Sequence, residues 1–100
     1  MMQPSKTPLF DLGQVVTTPA ALGQLVAARI DPGQLLRRHH HGDWGDLCAD
    51  DWQANESALR DGSRVFSSYK LAENLKIWII TEAVNEGRRA STCLLLPEDY

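Results

Sequence analysis

The sequence is poor in cysteine, in long apolar runs and in positive charge, and each shortage removes a class of protein. Cys48 and Cys93 are the two cysteines among 100 residues. A disulfide framework or a cysteine-rich zinc site needs more thiols at closer spacing, so both read as free thiols of a reducing compartment. The apolar run "IWII" at 77–80 is far too short to span a membrane. The opening "MMQPSKTPLF" puts no long apolar stretch behind its one lysine, so a cytoplasmic protein is expected rather than a secreted one. Ten Lys and Arg face 13 Asp and Glu, a net charge of −3. With no basic footprint, direct binding to nucleic acid is not expected. Glycine-rich phosphate loops, a G-x-S-x-G elbow and paired-cysteine motifs are missing too, and no cofactor is implied.

What is present is enough for one domain. Residues 1–8, two prolines among polar side chains, are expected to form a flexible tail before a single compact domain over 9–100. The first half reads as helices. In "TTPAALGQLVAARI" Thr18 caps, Pro19 takes the first helical position, and Leu22, Leu25 and Val26 recur at helical spacing. In "DPGQLLRRHHHG" Asp31 caps, Pro32 starts, Leu35 and Leu36 pack, and Gly42 stops the helix. "LCADDWQANESALRDG" opens with an acidic turn that suits the positive end of a helix dipole, and places Trp52, Asn55, Ala58 and Leu59 on one face.

The period then changes to two. Val65, Ser67, Tyr69 and Leu71 alternate with Arg64, Phe66, Ser68 and Lys70. "LKIWIITEA" is apolar on both faces at its centre, which predicts the middle strand. "AEN" and "VNEGRR" are turns, and "ASTCLLLPEDY" is a third strand stopped by Pro97. "LGQVV", 12–16, reads either as an edge strand or as an extended lead-in. The expected fold class is therefore α+β: about three N-terminal helices packed on a three- to four-stranded antiparallel β-meander. The expected core is Leu22, Leu25, Val26, Leu35, Leu36, Trp52, Leu59, Val65, Tyr69, Ile77, Ile79, Cys93 and Leu95.

One stretch concentrates chemistry: "RRHHHGDWGDL", 37–47. Consecutive helical residues point about 100° apart, so His39, His40 and His41 cannot converge on one ion. No metal site is expected; as the last turn of a helix, the run complements the negative dipole end. Metal-free RNA cleavage is the alternative, with a histidine as general base or acid beside Arg64, Tyr69, Arg88 or Thr92. In "GDWGDL", Gly42 and Gly45 permit a tight reversal, and Asp43 and Asp46 can cap backbone N–H groups. Trp44 either covers the end of the core with its indole N–H bonded, or stands exposed as an interface anchor. Residues 43–61 carry six carboxylates against Arg60, a local net of −5. Such a stretch is either a solvated helix face or a surface that meets a basic partner.

The motifs "GDWGDL", "NESALRDGSR" over 55–64, Ser67 and Tyr69 at S-x-Y spacing, "WIITE" and the closing "LLPEDY" together resemble a family of small bacterial proteins carried on plasmids, prophages and integrated elements. The similar block runs from about Leu12 to Tyr100. The chain departs from the family in "EAVNEGRRASTC", longer than the usual "EADRxxTT" turn, and in Cys93, where threonine is common. The resemblance implies context: a non-enzymatic inhibitor of host defence, of the anti-CRISPR kind. Such a protein binds a nucleoprotein effector, with a type I CRISPR surveillance complex the leading candidate, and blocks target-DNA recognition. The expected contact residues are Asp43, Trp44, Asp46, Asp50, Asp51 and Glu56, on a protein expected to be a monomer that meets no membrane.

Overall fold

A computed structural model describes residues 5–100. The fold is α+β with three helices: β1 (Gln14–Thr17), α1 (Pro19–Ala28), α2 (Pro32–His40), α3 (Ala49–Asp61), β2 (Val65–Ala72), β3 (Leu75–Thr81), β4 (Val84–Asn85), β5 (Arg88–Arg89) and β6 (Ser91–Leu95). A single 3-10 turn, Pro97–Asp99, closes the chain. Two of the three helix starts follow a capping residue. Thr18 accepts from the Ala21 N–H at 3.2 Å, Asp31 accepts from the Gly33 N–H at 2.9 Å, and α1 and α2 both take proline early, whereas Cys48 before α3 makes no side-chain cap.

The main sheet has the order β1-β6-β3-β2, with β3 interior as its two apolar faces require. β2–β3 and β3–β6 are antiparallel. Two features correct the expected meander. A strand precedes the helices, and that strand, β1, pairs with β6 in parallel. "LGQVV" gives no sign of this, because a four-residue strand finds its partner some 75 residues further along the chain. The turn between β3 and β6 also holds a two-stranded hairpin, β4–β5, reversed by Glu86 and Gly87 at φ 53° and 81°.

The odd-numbered residues of β2 and β3 (Val65, Ser67, Tyr69, Leu75, Ile77, Ile79, Thr81) face the helices and are buried. Ala21, Leu25 and Leu35 cover them as one core, while Trp44, Ala58 and Val65 form a second cluster with Phe10, Leu47, Trp52 and Leu59 at its margin. Leu22 and Val26, expected inside, are 42% and 68% exposed. Helix α1 touches the sheet through the narrow Ala21–Leu25 row alone, and the neighbouring row points to solvent. Cys93 is half-buried, because its register partner Ile80 places it on the sheet face away from the helices. On that face Trp78 packs edge-on against Phe66 and Tyr100.

The expected tail over 1–8 falls partly outside the described residues, at 1–4. From Ser5 on, the segment is tied to the end of α2: Ser5 N–H donates to the His41 carbonyl at 2.7 Å and Leu9 N–H to that of His40 at 3.0 Å.

Arg89 closes the opposite end. Its guanidinium is buried and donates to three carbonyls: Ser63 at 2.7 Å, Glu82 at 2.9 Å and Ala58, in the last turn of α3, at 3.2 Å. One side chain thus joins α3, the loop after it and the end of β3, with its charge at the negative end of a helix. Replacing Arg89→Met should cost about 3 kcal/mol in urea unfolding, since three carbonyls lose their donor. Arg89→Lys should recover only part of that, because an ammonium lacks the planar fork that reaches three acceptors. Equal stability of both variants and the wild type would show that the carbonyls find other partners.

Candidate functional site

The histidine run and the "GDWGDL" segment lie together where α2, the chain entry and β2 meet. The three histidines do three different things. His39 is fully buried, its ring between the sheet and Trp44. Its Nδ1 lies 2.5 Å from Ser67 Oγ and its Nε2 lies 2.9 Å from Thr81 Oγ1. Thr81 Oγ1 is 2.7 Å from Thr92 Oγ1, which donates to the Leu12 carbonyl at 2.7 Å. That carbonyl can only accept, and it sets the direction of the whole chain of bonds. Thr92 gives its proton to Leu12, so Thr81 gives its own to Thr92. His39 Nε2–H must then donate to Thr81, and the bare Nδ1 accepts from Ser67. The ring is neutral in one tautomer. Burial, then electrostatic repulsion from His40 and Arg89, pushes its pKa down to about 3.

His40 and His41 serve the chain entry. His40 Nε2 donates to the Phe10 carbonyl at 2.8 Å and His41 Nδ1 donates to that of Ser5 at 3.0 Å. The side groups considered for RNA cleavage are placed no better. Tyr69 and Thr92 are buried, and the Tyr69 hydroxyl donates to the Asp43 carbonyl at 2.6 Å with its pKa pushed up by burial. A fully buried neutral imidazole whose two nitrogens are both occupied cannot serve as general base for a bound substrate. Among the described residues, no three metal-ligating side chains gather into a site.

The "GDWGDL" segment runs along the outer edge of β2 and satisfies it. Ser68 N–H donates to the Trp44 carbonyl at 3.1 Å, and Asp46 N–H donates to the Ser68 carbonyl at 2.6 Å. The Asp46 carboxylate accepts from Lys70 N–H at 2.6 Å. Two residues earlier, the Asn55 amide both donates to the Phe66 carbonyl, at 2.6 Å, and accepts from its N–H, at 3.0 Å. Residues 66, 68 and 70 are the outward-pointing positions of β2, and each has its surrogate partner.

These roles sort the expected contact residues. Trp44 is fully buried against Phe10, His39 and Trp52, and its indole N–H donates to Glu56 at 2.9 Å. It is core rather than an exposed anchor, because the reversal at Gly42 and Gly45 turns it inward. Glu56 is half-buried beneath it. Asp43 pairs with Arg38 Nε at 2.7 Å and caps Gly45 N–H at 3.2 Å. Asp46 is exposed but holds β2. Asp50 and Asp51 are exposed in the first turn of α3 and enter no ion pair among the described residues.

Ser67, Thr81 and Arg89 were not singled out as a unit by the sequence. A signal existed for two of them: Ser67 and Thr81 interrupt rows of buried apolar residues at strand period, the place where a polar group must find a buried partner. No protein-family model, curated protein or solved structure matches the chain. No helix among the described residues is long and apolar enough to cross a membrane.

Two outcomes follow. His39 has an ordinary pKa of 6.5 when unfolded and about 3 when folded. The unfolded chain therefore takes up a proton first, and stability is complete above 6.5 and falls as pH drops toward 3, by at most about 1.4 kcal/mol per pH unit. Urea midpoints measured between pH 7 and 4.5 should fall steeply in the wild type; in His39→Gln the slope should shrink, on a base already lowered by about 2 kcal/mol for the broken chain of bonds. Parallel slopes in the two proteins would place the titrating group elsewhere. Gly45, at φ 79°, lies against the Ser68 carbonyl with no room for a Cβ. Gly45→Ala should cost roughly 3 kcal/mol and raise amide exchange at Ser68 and Lys70 before the interior of β3. Unchanged protection there would show that the segment does not hold the edge.

Proposed function

We propose that this protein works by binding, as a mobile-element-encoded inhibitor of the anti-CRISPR kind that occupies a nucleoprotein defence complex and blocks its recognition of target DNA. The single observation that carries this reading is the pair Asp50 and Asp51, adjacent and exposed at the start of α3 and in no ion pair among the described residues. The family resemblance of the motifs supplies the context. Effectors that hold DNA or RNA do so in lysine- and arginine-rich channels, and a compact surface bearing unpaired carboxylates competes for the same charges. The contact surface proposed here is narrower than the set of six residues expected from the sequence. Trp44 is interior, Glu56 is half-buried and holds its indole N–H, Asp43 is paired, and Asp46 has a structural bond, so in this proposal steering falls to Asp50 and Asp51. Such steering is screened over about 10 Å at 0.1 M salt.

The test reverses charge at Asp50→Lys and Asp51→Lys and spares Asp46, whose loss would open the edge of β2. The wild type should prevent a purified type I surveillance complex from binding target DNA, more strongly at low salt. The double variant should melt within a few degrees of wild type, since first-turn carboxylates contribute about 0.3–1 kcal/mol each, yet lose most of the inhibition. A folded variant that inhibits as well as wild type removes the carboxylates from the interface. No inhibition by the wild type removes the proposed function.

A further inference from the structure

Gln34, Arg37, Arg38 and His41 follow at i, i+3, i+4 and i+7 and form one stripe along the outer face of α2, while Leu35 and His39 turn inward. Ser5 is bonded to His41 twice, by its N–H to the His41 carbonyl and by its own carbonyl to Nδ1–H. Those two bonds lay Lys6 beside the stripe. Between them is a cleft of about 590 Å³ lined by all of these residues and by Asp43.

Three cations share this cleft with one carboxylate, in a chain whose net charge is −3. The carboxylate, Asp43, is occupied by Arg38 Nε at 2.7 Å. The guanidinium of Arg38 also lies over the Tyr69 ring, 4.4 Å from its centroid, and Tyr69 is fixed by its bond to the Asp43 carbonyl. Arg38 is thus held in place from two sides, while neither of its Nη groups makes a hydrogen bond among the described residues. Arg37 and Lys6 likewise form no ion pair there. A pre-positioned guanidinium with free terminal N–H groups, flanked by a second guanidinium and an ammonium, is the arrangement that recognises a phosphate group.

We propose that this cleft binds the terminal phosphate dianion of a nucleotide-sized organic phosphate. The lining has a net charge of +2, which matches a dianion and exceeds what a carboxylate needs. The volume is several times that of a bare phosphate and falls in the range of small-molecule pockets. The aliphatic stems of Lys6, Arg37 and Arg38 supply apolar wall for an organic body. A long polyanion fits less well, because the rest of the surface repels it. The lining of this site includes neither Asp50 nor Asp51, so its failure leaves the proposed inhibition untouched.

The experiment is an amide NMR titration of the intact protein at low salt with AMP, inorganic pyrophosphate and adenosine. AMP and pyrophosphate should give saturable shifts at Ser5, Lys6 and residues 34–41, and adenosine should give none. Tighter binding of AMP identifies an organic phosphate as the ligand; tighter binding of pyrophosphate identifies an inorganic one and overturns the organic body. Lys6→Gln and Arg37→Gln, side chains that hold no other part of the fold, should together weaken AMP binding at least about tenfold. No saturable shift with AMP or pyrophosphate, equal shifts with adenosine, or unchanged affinity in the double variant would overturn the site.

Discussion

The fold depends on a neutral imidazole in its centre. His39 reaches from α2 across to β2 through Ser67, to β3 through Thr81, and by way of Thr92 to β6 and the chain entry at Leu12. Five segments share one line of bonds, and every proton in that line has one allowed position. A helix that met the sheet through leucines alone could slide or rotate by a fraction of a turn at modest cost. The bonded line cannot shift without leaving a buried hydroxyl or ring nitrogen unpaired, at about 1–3 kcal/mol each. Among the described residues, every buried side-chain nitrogen and oxygen has a partner. The interior therefore gives up some apolar burial in return for a fixed register of α2 on the sheet.

That register decides the rest of the histidine run. With His39 turned inward, His40 and His41 fall about 100° and 200° further round the helix. There they meet the carbonyls of Phe10 and Ser5 as the chain comes in. The same register delivers the chain out of α2 at the place where Gly42 and Gly45 reverse it, drops Trp44 into the second cluster and lays Asp46 along β2. A sheet with an open edge invites pairing with other chains. Here the β2 edge is closed by the Trp44 carbonyl, the Asp46 N–H, a carboxylate and the Asn55 amide in place of a strand. Two of the carboxylates that made residues 43–61 look like a binding surface are employed in this closure and in the Arg38 pair.

Much of the fold is legible in the sequence. The caps at Thr18 and Asp31, the glycine stops, the period change after residue 62 and the two-faced β3 are local signals, and each led to the right element. What escaped was non-local. Nothing near "LGQVV" says that it lies parallel to "STCLL", and helical spacing alone cannot say that Leu22 and Val26 miss the sheet. In the candidate site the legible part was geometric: three consecutive helical histidines must diverge. Which of them goes inward depends on how α2 rests on Ser67 and Thr81, 28 and 42 residues away. Trp44 shows the same limit. Flanking acids suggest exposure, yet one of the nearby carboxylates, Glu56, is what satisfies its indole inside.

The charges divide along the same boundary. Arg37 and Arg38 end α2, and Asp50 and Asp51 begin α3, so each set stabilises the dipole of its own helix. Asp43 and Arg38 pair at the seam between them. A protein with cations at one helix end and anions at the next acquires a two-signed surface from helix chemistry alone, before any partner is considered. Local net charge is therefore a poor guide to a binding surface. The discriminating observation is which charged groups are left without a bond once the fold has used the others. Among the described residues, Asp50 and Asp51 are left so side by side in one helical turn, with Glu82, Glu86 and Glu98 scattered elsewhere; Arg37, Lys6 and the terminal N–H groups of Arg38 are left so around one cleft, with Arg29, Arg60, Lys76 and Arg88 elsewhere. Gathering, rather than freedom from a bond alone, is what sets those two groups of charges apart from the scattered ones on the same surface.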